Sequence, residues 1–432
     1  MHSWIDSLRG YLKPAVFIFL FLGFSCGLPY SLIGYSLSLW LADVGISLSV
    51  IGFFSLVLLP YNFKFLWAPF VDKIKIPYLA KKLGHKKAWL LLFQLGLLLS
   101  VLGLAYFSPD KNTWQYVIEK DGSTLVIPLQ TYLFSFLVAF FAASQDIVVD
   151  ALRIDTLEKE EFGEGAGMYQ FGYRMGMLLS GAGVVALSAL MGWQNAYSLV
   201  AIFLLVGLIS TTLVKESKPA SENNATHNVV YDMIIAPFKE FMTRLNWAWI
   251  LVFIVLYKLC NAVLGRMALP FYRDLGFSKG EIALISGTIG PWITLLGVAL
   301  GGVFVMRYSI LKLLMALGFV EILTSVVFGI FSFFEQSTLM FLIVILFDNV
   351  VGGMGGAVFV AFLSGLCSKK YSATQYALLS SLMMVAVSVV SLYSGVWAEQ
   401  MGWFYFFMFT GLLMVPALIL LQYLIKKEKK SL

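Results

Sequence analysis

The sequence predicts an all-α membrane protein whose twelve transmembrane helices form two parallel six-helix repeats. Three observations carry that expectation. The chain is 60% hydrophobic and 12% charged, with a mean hydropathy of +0.86, whereas a soluble domain is about a quarter charged. Twelve mostly apolar stretches, centred near residues 25, 58, 98, 140, 177, 203, 258, 292, 322, 352, 384 and 413, come close to the ~20 residues that a span requires. The two halves also echo each other at a constant offset of 231, where Asp43, Gly45, Ser47, Ile51, Ser55 and Pro60 recur as Asp274, Gly276, Ser278, Ile282, Ser286 and Pro291. A fainter echo pairs Met191-Gly192-Trp193 with Met401-Gly402-Trp403 at offset 210.

An even number of spans puts both ends of the chain on one side, and Lys and Arg counts in the short loops decide which side. With the N-terminus inside, 22 basic residues fall on inner segments and four on outer ones, Lys111, Lys120, Arg273 and Lys279. Both termini are therefore expected in the cytoplasm, and the pI of about 9.0 is orientation charge rather than a nucleic-acid footprint. After the sixth stretch, Lys215-Glu216-Ser217-Lys218-Pro219 opens a polar, Asn-rich segment. It divides the chain into a bundle over 1–214, a cytoplasmic linker over 215–245 and a second bundle over 246–432. The Asn224-Ala225-Thr226 sequon lies in that linker and is expected to carry no glycan.

Along the chain, the first stretch reads as a retained helix with no signal peptide. Pro29 and Pro270 are expected to interrupt the first and seventh helices, freeing backbone groups for gating or cavity lining. The connection from Asp72-Lys73 to Gly84-His85-Lys86-Lys87 is basic, and an inside-positive anchor alone would explain it. The outer loop from Thr113 to Ile127 alternates around Lys120-Asp121-Gly122, a turn signal for a small β-hairpin. Cys26, Cys260 and Cys367 lie in or beside spans, too far apart for a metal site, and read as small buried hydrophobes.

Charges inside the spans are the candidates for chemistry, because a carboxylate in hydrocarbon costs on the order of 2.5–3.5 kcal/mol and usually faces water or a partner. Asp146 and Asp150 sit one turn apart in the fourth stretch, about 14 Å and about 8 Å from its inner end at 1.5 Å per residue. Arg174 lies about 16 Å up the fifth helix, level with Asp146, and Tyr169 and Gln170 lie about 10 Å up it, level with Asp150. An Arg174–Asp146 pair across these helices is expected, with Gln145 beside it. Asp150 held by Arg153 in a fixed structural pair is the competing reading. Desolvation raises a carboxylate pKa and a nearby Arg lowers it, so making and breaking such a pair would move a proton on Asp146 or Asp150. In the second half Lys258 lies about 16 Å into the seventh helix and Asp348 about 15 Å into the tenth, from opposite faces. A Lys258–Asp348 pair with Asn261 one turn away would form the other wall. Lys64 and Arg266 read as snorkelling side chains near the two faces. Glu321, mid-span on the ninth helix, has no assigned role.

Two parallel six-helix repeats with a site between them at mid-membrane are the architecture of the major facilitator superfamily, and the Asp72–Lys87 connection resembles the basic loop of that superfamily, lengthened by an insertion containing Pro77. More narrowly, Ser144-Gln145-Asp146-Ile147-Val148-Val149-Asp150-Ala151, Gly165-Ala166-Gly167, Gly172-Tyr173-Arg174-Met175-Gly176-Met177-Leu178, Ser180-Gly181 and Gly192-Trp193-Gln194 resemble the AmpG-type muropeptide permeases. Gly27-Leu28-Pro29, the run from Pro60-Tyr61 through Phe63-Lys64-Phe65-Leu66-Trp67-Ala68-Pro69, and Asp274-Leu275-Gly276-Phe277-Ser278 match the same family. The resemblance implies a bacterial inner-membrane symporter that carries anhydro-muropeptides, anionic sugar-peptide fragments of peptidoglycan, inward for recycling on the proton gradient. Arg174 and Lys258 would then bind carboxylates and an Asp would carry the proton. Cys260-Asn261 departs from the Gly-Asp frequent in the family, removing a carboxylate there. Acetyl-CoA transporters share the subfamily, so another large anion, or a peptide, is the alternative cargo.

A different class deserves comparison. An Asp-x-x-x-Asp on a membrane helix is also the Mg²⁺-diphosphate signature of intramembrane prenyltransferases, which need a second Asp-rich cluster; Asp348 stands alone. His2, His85 and His227 all fall on cytoplasmic segments, leaving no intramembrane His for acyl transfer. The expectation is a secondary transporter, acting as a monomer in the bilayer, with no metal, no cofactor and no enzymatic activity. A sensor that keeps the fold without moving cargo would differ by binding ligand without flux.

Overall fold

The computed structural model describes residues 10–109, 115–120, 123–216, 231, 235–334 and 336–431. Among them, twelve helices are long and apolar enough to cross a membrane. In the first half these are α1 (Pro14–Asp43), α2 (Ser49–Leu66), α3 (His85–Tyr106), α4 (Leu129–Thr156), α5 (Lys159–Met191) and α6 (Trp193–Leu213). In the second they are α7 (Trp247–Asp274), α8 (Lys279–Val305), α9 (Ile310–Phe331), α10 (Thr338–Gly365), α11 (Lys369–Met401) and α12 (Trp403–Lys427).

The sequence echoes become matching pieces of architecture. Asp43 at the end of α1 accepts a hydrogen bond from the Trp193 indole at the start of α6 (2.9 Å), and Asp274 at the end of α7 accepts one from Trp403 at the start of α12 (2.5 Å). Ser47 and Ser278 both cap the helix that follows, accepting from Val50 N and Glu281 N. Gly45 and Gly276 hold φ of +80° and +89°, a region that costs an L side chain about 1–2 kcal/mol. Each half thus closes its first helix on its sixth with one carboxylate, one indole and one tight glycine turn.

Packing within each half relies on close backbone approach, as membrane helices must when lipid is as apolar as Leu. A Cβ at Gly27 would stand 1.9 Å from the Tyr173 carbonyl oxygen, and one at Gly172 1.9 Å from that of Leu20, so α1 and α5 touch backbone to backbone. In the second half α8 and α10 do the same, with Gly297 against Val350 and Gly353 against Thr294.

The hydrophobic core is continuous between halves at only one end. At the end bearing both termini, one cluster joins Val16, Ile147 and Tyr169 of the first half to Phe253, Leu363 and Tyr376 of the second. Toward the other end the core separates into a first-half cluster around Trp40, Leu97 and Tyr197 and a second-half cluster around Phe271, Phe328 and Phe341.

Two local expectations are corrected. Neither Pro29 nor Pro270 breaks its helix: both sit inside continuous helical segments, where neighbouring helices satisfy the groups a proline frees. One irregularity follows Pro29 directly, a π turn at Leu32–Ser36; the others are π turns at Leu179–Gly183 and Ala283–Ile289 and 3-10 stretches at Phe54–Leu58 and Lys64–Leu66. The predicted hairpin is present: β1 (Gln115–Lys120) pairs antiparallel with β2 (Ser123–Pro128), Lys120 opposite Ser123. Its Asp121-Gly122 turn lies outside the described residues, as do Arg9, Lys111, Lys218, the Asn224 sequon, His2 and His227.

Candidate functional site

The first-half charges gather at the inner third of α4. Asp146, Asp150 and Arg153 are all buried, Arg153 completely. Arg153 Nη2 lies 2.9 Å from Asp150 Oδ1, and Lys64 Nζ lies 3.9 Å from Asp150 Oδ2. The Arg153 guanidinium also sits over the rings of Tyr169 (4.7 Å) and Tyr376 (5.3 Å). These are cation–π contacts of a desolvated Arg, and the second ring belongs to the other half. Asp150 is therefore held by two cations, the fixed-pair reading of the sequence. Asp146 is different: no ion pair reaches it among the described residues, although its buried Oδ1, like Asp150 Oδ1, has no hydrogen-bond partner. Gln145 beside it is tied to α1, its Nε2 3.2 Å from Cys26 Sγ and its Oε1 3.4 Å from Ser25 Oγ.

The expected Arg174–Asp146 pair does not form, and Arg174 meets Asp150 no better. The reason is the packing order. α1 lies between α4 and α5, and Gly172 and Gly176 mark the face of α5 that presses on it. Arg174 is roughly 200° around the helix from Gly172, on the opposite face. There it is exposed although deep in the span, with Tyr30 and Tyr173 as the charge-sensitive groups beside it. Lys64 is a second correction. It is 7% exposed and paired with Asp150 rather than snorkelling, because the helical path resumes over Ala68–Lys73 and carries α2 beyond Leu66. Arg266 is exposed and Gln170 half-buried.

In the second half, Lys258 and Asp348 do not pair. The Lys258 ammonium lies 4.6 Å from the centre of the Phe359 ring, and the charges that act on it are Glu321 and, across the gap between halves, Arg174. Glu321, left without a role by the sequence, is buried and lines a small cavity with Cys260, Asn261, Thr324, Asp348 and Gly352. The carboxylate absent at Asn261 is thus supplied to the same cavity from α9.

A third group joins the halves at the terminus-bearing end. The Asp72 carboxylate accepts hydrogen bonds from Ala373 N (3.2 Å), Thr374 N (2.8 Å) and Thr374 Oγ1 (2.6 Å), capping the N-terminus of α11, where a helix dipole favours negative charge. Lys86 Nζ donates to Asp155 (2.5 Å) and to Ser372 Oγ (2.6 Å), 3.8 Å from Asp72. Arg153 reaches Ser364 Oγ at 3.4 Å, and the Tyr11 hydroxyl donates to the Ala299 carbonyl at 3.2 Å. The basic loop is more than an anchor. Sequence reading missed Lys64, Arg153 as an inter-half contact, and Glu321; their only signal was charge within an apolar run.

Two bundles that meet at one end, part at the other and face charges across the gap define a membrane transporter of the alternating-access kind. The model of the Major Facilitator Superfamily matches residues 19–272. A putative transporter AmpG 4 of Rickettsia conorii (strain ATCC VR-613 / Malish 7) is 35% identical over 407 residues, covering 93% of this chain and 94% of its own. The anhydromuropeptide permease of Escherichia coli (strain K12) is 35% identical over 417 residues, covering 96% and 80%. Among solved structures, the proton:xylose symporter XylE bound to 6-bromo-6-deoxy-D-glucose superposes with a TM-score of 0.67 at 15% identity, covering 96% of both chains. The E. coli fucose:proton symporter FucP, solved as a point variant, gives 0.66 at 13%, covering 96% of this chain and 99% of its own. These two likenesses speak to fold alone. The chain belongs to the AmpG-type permease family of the major facilitator superfamily; it is a multi-pass membrane transporter and not an enzyme.

Proposed function

We propose that the protein imports anhydro-muropeptides, anionic sugar-peptide fragments of peptidoglycan, across the bacterial inner membrane on the proton gradient, working as a monomer with both termini in the cytoplasm. Residues 1–214 and 246–432 are the two moving bundles and 215–245 the cytoplasmic linker between them. The observation that carries the reading is the likeness to the anhydromuropeptide permease, 35% identical over most of the chain. Arg174, exposed deep in its span, and Lys258, half-buried in its own, are the cations that suit a carboxylate-bearing peptide stem. Tyr169, Gln170 and Asn261 would add polar contacts to sugar and peptide. Asp150 serves as structure. Asp146, one turn deeper and without the ion pairs that hold Asp150, is the first-half proton carrier. With the termini inside, the joined end faces the cytoplasm and the parted end faces the periplasm, ready for cargo.

The test is uptake of labelled anhydro-disaccharide-peptide into inside-negative, outside-acid proteoliposomes, with and without a protonophore. Accumulation that the protonophore collapses is the expected result. No uptake, with a working control transporter, would transfer the site to another large anion, acyl-CoA or free peptide being assayed next.

A further inference from the structure

The second-half cavity is lined by two carboxyl groups and no cation; Lys258 stands outside that lining as the cation whose charge acts on Glu321. Glu321 of α9 and Asp348 of α10 line it together with Asn261, Thr324, Cys260 and Gly352. Its volume is about 10 Å³, the room one water molecule needs. Glu321 is 5% exposed and its Oε2 has no hydrogen-bond partner. A buried carboxylate oxygen left bare is costly, and two carboxylates in one low-dielectric site cannot both stay ionised beside a single ammonium. The surplus is one negative charge.

We infer that Glu321 is a second proton-binding group, whose occupancy is set by Lys258 and therefore by substrate. With the gap empty, the Lys258 ammonium compensates Glu321. A substrate carboxylate entering between Arg174 and Lys258 draws that ammonium toward the gap. Glu321 then loses its counter-charge and takes one proton from the water that reaches the cavity, becoming a neutral carboxylic acid. Substrate and proton each favour the binding of the other, and linkage makes the coupling reciprocal. When the substrate leaves, Lys258 returns and the proton departs.

The surroundings leave few other groups to do this. The charges acting on Glu321 are Lys258 of α7 and Asp348 of α10. α7 also presents the Tyr257 phenol, committed to the Leu314 carbonyl at 3.0 Å, and the Cys260 thiol, 3.6 Å from Ser325 Oγ. α8 and α12, the remaining helices against α9, carry no ionisable side chain over residues 290–305 and 406–418.

The inference rests on the proposed substrate only for its second half, and the experiment separates the two. Infrared difference spectra of the purified protein in lipid are recorded through a pH titration, reading the carbonyl stretch of protonated carboxyl groups. Glu321→Gln should remove one titrating band, Asp146→Asn should keep that band, and Glu321→Asp should restore it at a displaced frequency. Lys258→Ala leaves the glutamate in place and should let the band persist to higher pH. Anhydro-disaccharide-peptide should shift the wild-type titration upward and leave Lys258→Ala unmoved. A titration unchanged by Glu321→Gln, or by Lys258→Ala, overturns the inference, as does a band that responds to Na⁺ at constant pH. A Lys258→Ala shift without any response to the muropeptide would uphold Glu321 as the proton group and overturn the substrate.

Discussion

The two halves of this transporter share a frame but not a charge pattern. Asp43–Trp193 and Asp274–Trp403 close the halves in the same way. Inside that frame, the α4 cluster of the first half sets Asp146 and Asp150 beside Lys64 and Arg153. The second places Glu321 and Asp348 around a water-sized cavity, with Lys258 outside its lining. The paired and stacked Asp150–Arg153 unit is a fixed part. A carboxyl group without a paired cation, Asp146 in the first half and Glu321 in the second, is a part whose charge can change. Duplication preserved the scaffold, which any cargo requires, and let the chemistry diverge between its copies.

The comparison can be broken most forcefully at Arg153. Removing one partner of a buried ion pair costs about 3–5 kcal/mol, so Arg153→Ala should lower the unfolding temperature in detergent markedly, and adding Asp150→Asn should recover part of the loss. Unchanged stability in the single variant would mean that the first-half cluster is not a structural unit. Asp146→Asn should abolish gradient-driven accumulation while sparing exchange of substrate between two equally filled sides. Full accumulation would remove Asp146 from coupling and leave the second half to act alone. Arg174→Ala should weaken a carboxylate-bearing substrate by about 1.5–3 kcal/mol, the range for a charged hydrogen bond, and a neutral sugar far less, read as competition binding; equal losses would place Arg174 in the fold instead. Asp72→Asn should cost about 0.5–2 kcal/mol as a lost charged cap, loosening the joined end. Peptide-resolved labelling of the half-buried Cys367 thiol should then be faster than in the parent. The smallest effect belongs to the frame itself. Trp193→Phe and Trp403→Phe each delete one indole hydrogen bond worth about 0.5–1.5 kcal/mol, and thermal melts should show the two losses to be alike.

Much of this was legible before any coordinates. The apolar runs marked the spans, and the 231-residue offset announced the duplicated frame, because a positive-φ glycine, a capping serine and a helix-end carboxylate are each demanded by local geometry. Neighbours were not legible. Level is a one-dimensional quantity, and the insertion of α1 between α4 and α5 turned an expected Arg174–Asp146 pair into two groups facing different ways. Lys64 was misjudged because α2 resumes over Ala68–Lys73. Glu321 could be flagged by its charge, but its role depends on Lys258 and Asp348 arriving from two other helices.

The Asp72 cap on α11 has a kinetic meaning. Its three hydrogen bonds, with the Lys86 bridge beside them, must be undone whenever cargo is discharged past that end and rebuilt before the next load. They form without help from cargo, so they hold the vacant carrier closed at that end, and every opening there, in net transport or in exchange, has to break them. Weakening the cap should therefore move the vacant protein toward the state open at that end and lower the apparent affinity for cargo offered at the other.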